Sequence, residues 1–354
     1  MKKAVLALLF SALLFSCEQT PSYTINGKVL NSDAEGKQVL LGKIQNEETI
    51  FVDSTFIRKG KYRFTGSVDQ ADLYVVNVVM DDPKTRPSVG FVLENASIII
   101  TTDTLGSRIG GTAMNDSIQN YQDRDRLLTE AMMVARNEQN VGEYRKLYDA
   151  QRIGRFDFIK NNVNNPGVWS MLGHVVYNPL SDLKAIVAGA DARTSAHPVM
   201  ERIVERIHAM ETAVQGNPFI DLEMPNPEGK MVKLSDYVGK TKYVLVDFWA
   251  SWCSPCIADL PHVFKVYEKY KKRGLEIVGV SFDNSQEAWL KGIKEHKLPW
   301  PQMSDVKGWD SMGARLYAIP GIPYTALIDQ SGTMIALNLR GESLDKKLAE
   351  LMGK

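Results

Sequence analysis

The stretch Tyr243-Val244-Leu245-Val246-Asp247-Phe248-Trp249 is apolar at every position but one, and three residues later it reaches Cys253-Ser254-Pro255-Cys256. An apolar run of this kind belongs to a strand covered on both faces rather than to one alternating between core and water. Helical spacing follows from Ser254 to Lys272, so the segment reads as strand, tight turn, helix: the unit of an α/β sheet. Cysteines three apart in the first turn of a helix approach closely enough to bridge. Cys253 stands at the helix N-terminus, where free N–H groups and the dipole favour a thiolate. Thiolate is the attacking form in disulfide exchange. The spacing therefore predicts Cys253 as the attacking sulfur and Cys256, one turn inside and less exposed, as the resolving one. A structural disulfide or half of a zinc site would use the same two residues. Zinc, however, needs further ligands, and the sequence has no second CxxC and no nearby His pair. Haem attachment would need His at position 257, which is Ile.

Further elements surround this unit. Leu275 to Ser281 reads as a second buried strand and Ser285 to His296 as a helix. Tyr324 to Asp329 and Thr333 to Leu339 form a strand pair joined by Gln-Ser-Gly, and Ser343 to Met352 is a closing helix. The segment Val246 to Cys256, and Trp252-Cys253-x-x-Cys256 above all, closely resembles the signature of the thioredoxin superfamily. The resemblance covers roughly residues 218 to 354. The lead-in Pro218-Phe219-Ile220-Asp221-Leu222, with Val232 to Tyr237 and Gly239-Lys240, is similar to the envelope branch that includes TlpA- and ResA-type thiol–disulfide oxidoreductases.

That resemblance implies an α/β thioredoxin fold for residues 216–354 and a redox-active Cys253–Cys256 disulfide in place of any cofactor or metal. It also implies roles for particular residues. Asp247, alone among apolar neighbours, matches the buried carboxyl that assists proton transfer to the resolving cysteine. Burial alone should raise its pKa toward neutrality; a hydrogen-bonded structural Asp is the other reading. Asp259, one helical turn past Cys256, stands where ResA-type proteins carry Glu, and its shorter side chain departs from that pattern. Ile322-Pro323, ahead of the strand at Tyr324, matches the cis-proline loop that pairs with a bound substrate chain. Ile319-Pro320 competes for that place. Trp252 is a surface aromatic beside the thiols or a packing residue. Pro261 matches a helix-kinking proline. The five histidines are scattered, and His262, near the active helix, is read as non-catalytic with the rest.

The N-terminal part is organised differently. Lys2-Lys3 precedes an apolar run, Ala4 to Phe15, too short to cross a bilayer as a permanent helix and suited to a secretory signal. It ends in Leu13-Leu14-Phe15-Ser16-Cys17, which resembles a bacterial lipobox. Residues 1–16 are thus expected to be a lipoprotein signal peptide, Cys17 the lipidated residue and 17–22 a tether; an ordinary signal peptide with an incidental cysteine is the alternative. This places the chain in the envelope, facing the periplasm, anchored to the inner or outer membrane, where disulfides persist. Residues 23–111 carry short strands between turns, among them Tyr23 to Leu30, Gln38 to Ile44, Ile50 to Ile57 and Lys61 to Val68, which predicts an antiparallel all-β sandwich-like domain. This part resembles, more distantly, a domain placed before redox modules in Bacteroidota lipoproteins. Residues 112–215 turn to helical spacing at Ser117 to Asn137, Val141 to Asn161, Val168 to Tyr177 and His197 to Val214, a helical linker domain. The chain is multidomain.

Lys plus Arg equals Asp plus Glu, 42 each, so net charge supplies no attraction for nucleic acid. Protein disulfides and a membrane electron donor are the implied partners. A thiol peroxidase would need Thr or Ser at position 250, which is Ala; copper-delivery proteins space their cysteines by three residues. A partner- or glycan-binding lipoprotein with an accessory redox domain is the alternative from another class. Ser254-Pro255 between the cysteines resembles reducing members of the family, which points to a protein-disulfide reductase whose substrates include apocytochrome cysteines before haem attachment.

Overall fold

A computed structural model describes residues 22–30, 32–45, 48–81, 87–103 and 106–353. The expected signal segment and Cys17 lie outside these residues. The chain divides into two compact units, residues 1–170 and 171–354.

Among its described residues the first unit holds eight strands: β1 (Tyr23–Val29), β2 (Gln38–Gln45), β3 (Glu48–Phe56), β4 (Lys61–Gly66), β5 (Asp72–Val78), β6 (Ser88–Leu93), β7 (Ser97–Asp103) and β8 (Gly106–Gly110). They form two four-stranded sheets, ordered β4-β1-β7-β8 and β3-β2-β5-β6. Alternation sends Tyr23, Ile25 and Val29 of β1 and Ile98 and Ile100 of β7 inward, so the sheet has one apolar face, as a sandwich requires. One pairing departs from the antiparallel expectation: β1 and β7 run parallel, Ile25 opposite Ile98. The chain passes through the other sheet between them, so no hairpin fixes their direction. Gly27 lies opposite Tyr62, and a Cβ there would enter the Tyr62 ring; the ring fills space that only glycine leaves open. Helices α1 (Ala113–Asn137) and α2 (Val141–Asn161) complete the unit. α1 starts four residues before the periodic pattern because Thr112 caps it, accepting the Asn115 N–H. Asn115 in turn brackets β6: its side chain accepts the Val92 N–H and donates to the Val92 carbonyl, both at 2.8 Å. Tyr121 and Phe158 stack at 4.4 Å between α1 and α2.

The second unit begins with α3 (Leu180–Gly189), α4 (Ala192–Ser195) and α5 (Pro198–Thr212). A short hairpin of β9 (Glu223–Pro225) and β10 (Met231–Lys233) follows. The sheet comes next, with β11 (Tyr243–Trp249), α6 (Ser254–Tyr270), β12 (Leu275–Ser281), α7 (Gln286–His296), β13 (Gln302–Met303), α8 (Met312–Leu316), β14 (Tyr324–Asp329), β15 (Met334–Leu337) and α9 (Gly341–Met352). Strand order is β13-β12-β11-β14-β15. β12 is parallel to β11 and to β13, whereas β14 is antiparallel to β11 and β15 to β14. β11 is therefore central, and every residue from Val244 to Trp249 is buried. The spans from sequence at 243–249, 275–281 and 324–329 coincide with β11, β12 and β14. The helix expected at 168–177 is instead a 3₁₀ segment, Pro166–Val175.

Packing at the edge strand depends on one glycine. Trp249 Nε1 donates to Gln302 Oε1 at 3.0 Å, and the Gln302 amide occupies the space beside Gly279, where a Cβ would stand 2.3 Å from Oε1. Gly279→Ala must displace that amide and strip a buried indole N–H of its partner. It should destabilise the second unit by about 1–3 kcal/mol, read as a lowered urea midpoint by tryptophan fluorescence; an unchanged midpoint would refute the packing account.

Candidate active site

β11 delivers the backbone to Ala250-Ser251-Trp252, and Cys253 is the N-cap of α6. Pro255 sits in the first turn, where its missing N–H costs nothing. Cys253 and Cys256 are joined as a disulfide with Cα atoms 5.2 Å apart. The Cys256 N–H points at Cys253 Sγ, 3.2 Å away. In the bridged form both cysteines are 4 % exposed, so the expected difference in exposure between them is absent. What distinguishes them is the cap: Cys253 Sγ receives a helix N–H and Cys256 supplies it, which stabilises negative charge on Cys253.

The turn is held from the other strand. Asp283, buried just past β12, accepts the Ser251 N–H at 3.0 Å, the Ser251 hydroxyl at 2.6 Å and the Ser281 hydroxyl at 2.7 Å. Gly292 of α7 lies against the same residue, where a Cβ would come within 2.9 Å of Ser251 Cβ. Neither residue was singled out from sequence. Asp283 did carry a signal, an acid two residues after the buried strand Leu275–Ser281. Gly292 carried none, because its contact is tertiary.

Asp247 is buried in β11 between Gly279 of β12 and Thr325 of β14. Burial, and then the charge of Asp259 on α6, push its carboxyl up to about 7. The structure thus brings Asp247 and Asp259 into electrostatic reach of each other. Trp252 is about half exposed and lies against Trp309, ring centroids 6.4 Å apart, while Trp309 rests on Phe282 at 5.5 Å. Ile322–Pro323 is a cis peptide. Tyr324 pairs with Phe248, so the Ile322-Pro323 loop lies at the end of β11 that leads to the cysteines. His262 turns toward α9, its Nε2 3.7 Å from Asp345. Among the described residues no cluster of His, Cys, Asp and Glu is placed to hold a metal ion.

A central strand ending in a helix-capping cysteine, bridged within one helical turn, defines a thioredoxin-like redox domain. The family model over this region and the relatives of similar sequence agree. The model of the AhpC/TSA family matches residues 215–336, and a domain of unknown function, DUF4369, matches residues 23–118. The thiol–disulfide oxidoreductases ResA of Bacillus thuringiensis and of Bacillus cereus are each 33% identical to this chain over 127 residues, 36% of it and 70% of theirs. A solved thiol–disulfide oxidoreductase from Bacteroides fragilis is 33% identical, with 38% of this chain and 99% of that one covered and a TM-score of 0.36. The chain belongs to the ResA family of thiol–disulfide oxidoreductases, and it is an enzyme of that class.

The carboxyl of Asp247 makes stability depend on pH. Its ordinary pKa is near 4. Below that value it is neutral in folded and unfolded chains alike. Between about 4 and 7 the unfolded chain loses the proton while the folded one keeps it, so stability falls as pH rises, and the loss is complete above the folded pKa. Asp247→Asn removes this dependence. From pH 4 to pH 8 the wild type should lose about 3–4 kcal/mol relative to Asp247→Asn, measured by urea unfolding of the oxidised proteins. Parallel stability curves would contradict the assignment.

Proposed function

We propose that this enzyme reduces disulfides of envelope proteins, with Cys253 attacking and Cys256 resolving. The observation that carries the assignment is the cap: the sulfur at the start of α6 receives the Cys256 N–H at 3.2 Å. In the dithiol form the Cys253 thiolate attacks one sulfur of a substrate disulfide. The substrate S–S bond breaks, a mixed disulfide forms, and the departing substrate sulfur takes a proton. Cys256 then gives its proton to Asp247 and attacks Cys253 Sγ. The second substrate thiol leaves, and the enzyme is left as the Cys253–Cys256 disulfide. Two electrons have passed from enzyme to substrate, and a membrane electron donor returns them.

Asp247, titrating near neutral pH, suits both halves of that proton movement. Asp259 disfavours charge on Asp247 and so keeps it ready to give a proton back. The backbone at Ile322-Pro323 and the face of Trp252 receive the substrate chain. The protein pair itself is the redox group and no cofactor or metal takes part. No helix among the described residues is long and apolar enough to cross a membrane; attachment is through lipid on Cys17, and the redox unit works on the periplasmic side. The β-rich residues 23–111 and the helical residues 112–215, the latter divided between the two units at 170, carry it, and apocytochrome cysteines are among its substrates.

The reduction potential of the pair, equilibrated with dithiol or glutathione buffers at neutral pH, tests direction. A reductase lies near roughly −270 mV or below, whereas a value near roughly −120 mV reverses the assignment. Cys253→Ser should abolish insulin reduction. Cys256→Ser should instead accumulate a mixed disulfide with substrate, detectable by mass spectrometry. Trapping by Cys253→Ser rather than Cys256→Ser would exchange the two roles.

A further inference from the structure

Beside the redox site, within the second unit, a cavity of about 320 Å³ is lined by Tyr177, Glu205, Arg206, Trp309, Arg315 and Ile319. Arg206, on α5, is 8% exposed. Its Nε has no hydrogen-bond partner. Nη1 reaches only the Ile319 carbonyl, at a long 3.5 Å, and the guanidinium stands over the Tyr177 ring at 5.2 Å. Among the described residues it makes no ion pair. Two acids line the same cavity: Glu205, engaged by Arg315 at 3.9 Å, and the exposed Asp310.

A buried guanidinium with an unpartnered Nε is incompletely compensated for its desolvation. Its planar fork of N–H donors matches a carboxylate in shape and charge. The position relates it to substrate. Trp309 forms one wall of the cavity and touches Trp252, the residue before Cys253. Ile319 forms another and lies three residues before Ile322. A polypeptide lying across Trp252 toward Cys253 therefore passes the mouth of the cavity. The volume accommodates one amino-acid side chain with a few waters, each taking about 30 Å³.

We propose that this cavity is a specificity site: Arg206 receives an acidic side chain of the polypeptide substrate, near the cysteine whose disulfide is exchanged. The proposal rests on the reading that Cys253 is the attacking sulfur at this face.

The test uses the full chain and two disulfide-bonded peptides that differ only in carrying Glu or Gln on either side of one cysteine. Reduced, desalted enzyme is mixed with each and the second-order rate of peptide reduction is followed. The wild type should prefer the Glu peptide about tenfold, the scale of one charge-assisted hydrogen bond. In R206M the ratio should fall to within about twofold of one. R202E is the second variant: Arg202 is exposed at the rim of the same cavity, so a carboxylate there competes for Arg206 and lowers the ratio without altering the buried side chain. If only one variant folds, it decides.

A wild-type ratio near one, or a ratio unchanged in the variants, overturns the proposal. Binding of both peptides to Cys253→Ser, followed by tryptophan fluorescence, separates this from the function assigned above. A Glu preference in binding upholds the cavity even if no thiol chemistry is found. Reduction of both peptides without preference upholds the chemistry and sinks the cavity.

Discussion

Burial of β11 on both faces is the constraint from which the second unit is built. A strand at the centre of the sheet, with every residue from Val244 to Trp249 out of water, can begin and end only where the chain escapes the core. The exit comes at Ala250, and the next three residues must turn the chain into α6. Asp283 and Gly292 grip Ser251 within that turn. The turn that leads to Cys253 is thus held from β12 and α7. The reactive residue inherits its address from the core.

The same burial gives Asp247 its chemistry. On a strand with one face in water the carboxylate would be solvated and ordinary. Here it has Gly279 and Thr325 as cross-strand neighbours and Asp259 across from it on α6, so that the neutral form survives to near pH 7. A single polar residue in an apolar strand is a cost in stability, and perturbed carboxyls of this kind concentrate at functional sites.

The parts of the molecule legible in the sequence are those with a local cause. The run Tyr243–Trp249 is readable because two-sided burial removes alternation, and 141–161 because its periodicity is bounded by a cap at Asn140. The cysteine spacing was readable for the same reason: both cysteines lie in one helix turn. What was not readable is tertiary. β13, two residues long, exists only because it pairs with β12. β8 is held as an edge strand against β7, and α8 is a five-residue helix. Trp309 belongs beside Trp252 through the fold of residues 305–319, and Arg206 meets the site from α5, more than forty residues upstream. No spacing rule connects such positions. The exposure of the two cysteines was misjudged because helix position alone does not say what covers the first turn.

The disulfide closes a loop of only four residues. In the chain-entropy account such a loop restrains the unfolded chain by roughly 2 kcal/mol, against roughly 5 kcal/mol for a crosslink that spans a hundred residues. With Cys17 as the sole other cysteine in the sequence, no crosslink ties distant parts of either unit. The chain-entropy restraint of the bridge is therefore confined to the first turn of α6. Making or breaking that bond leaves every long-range tie within either unit to the packed cores, because none of them is covalent.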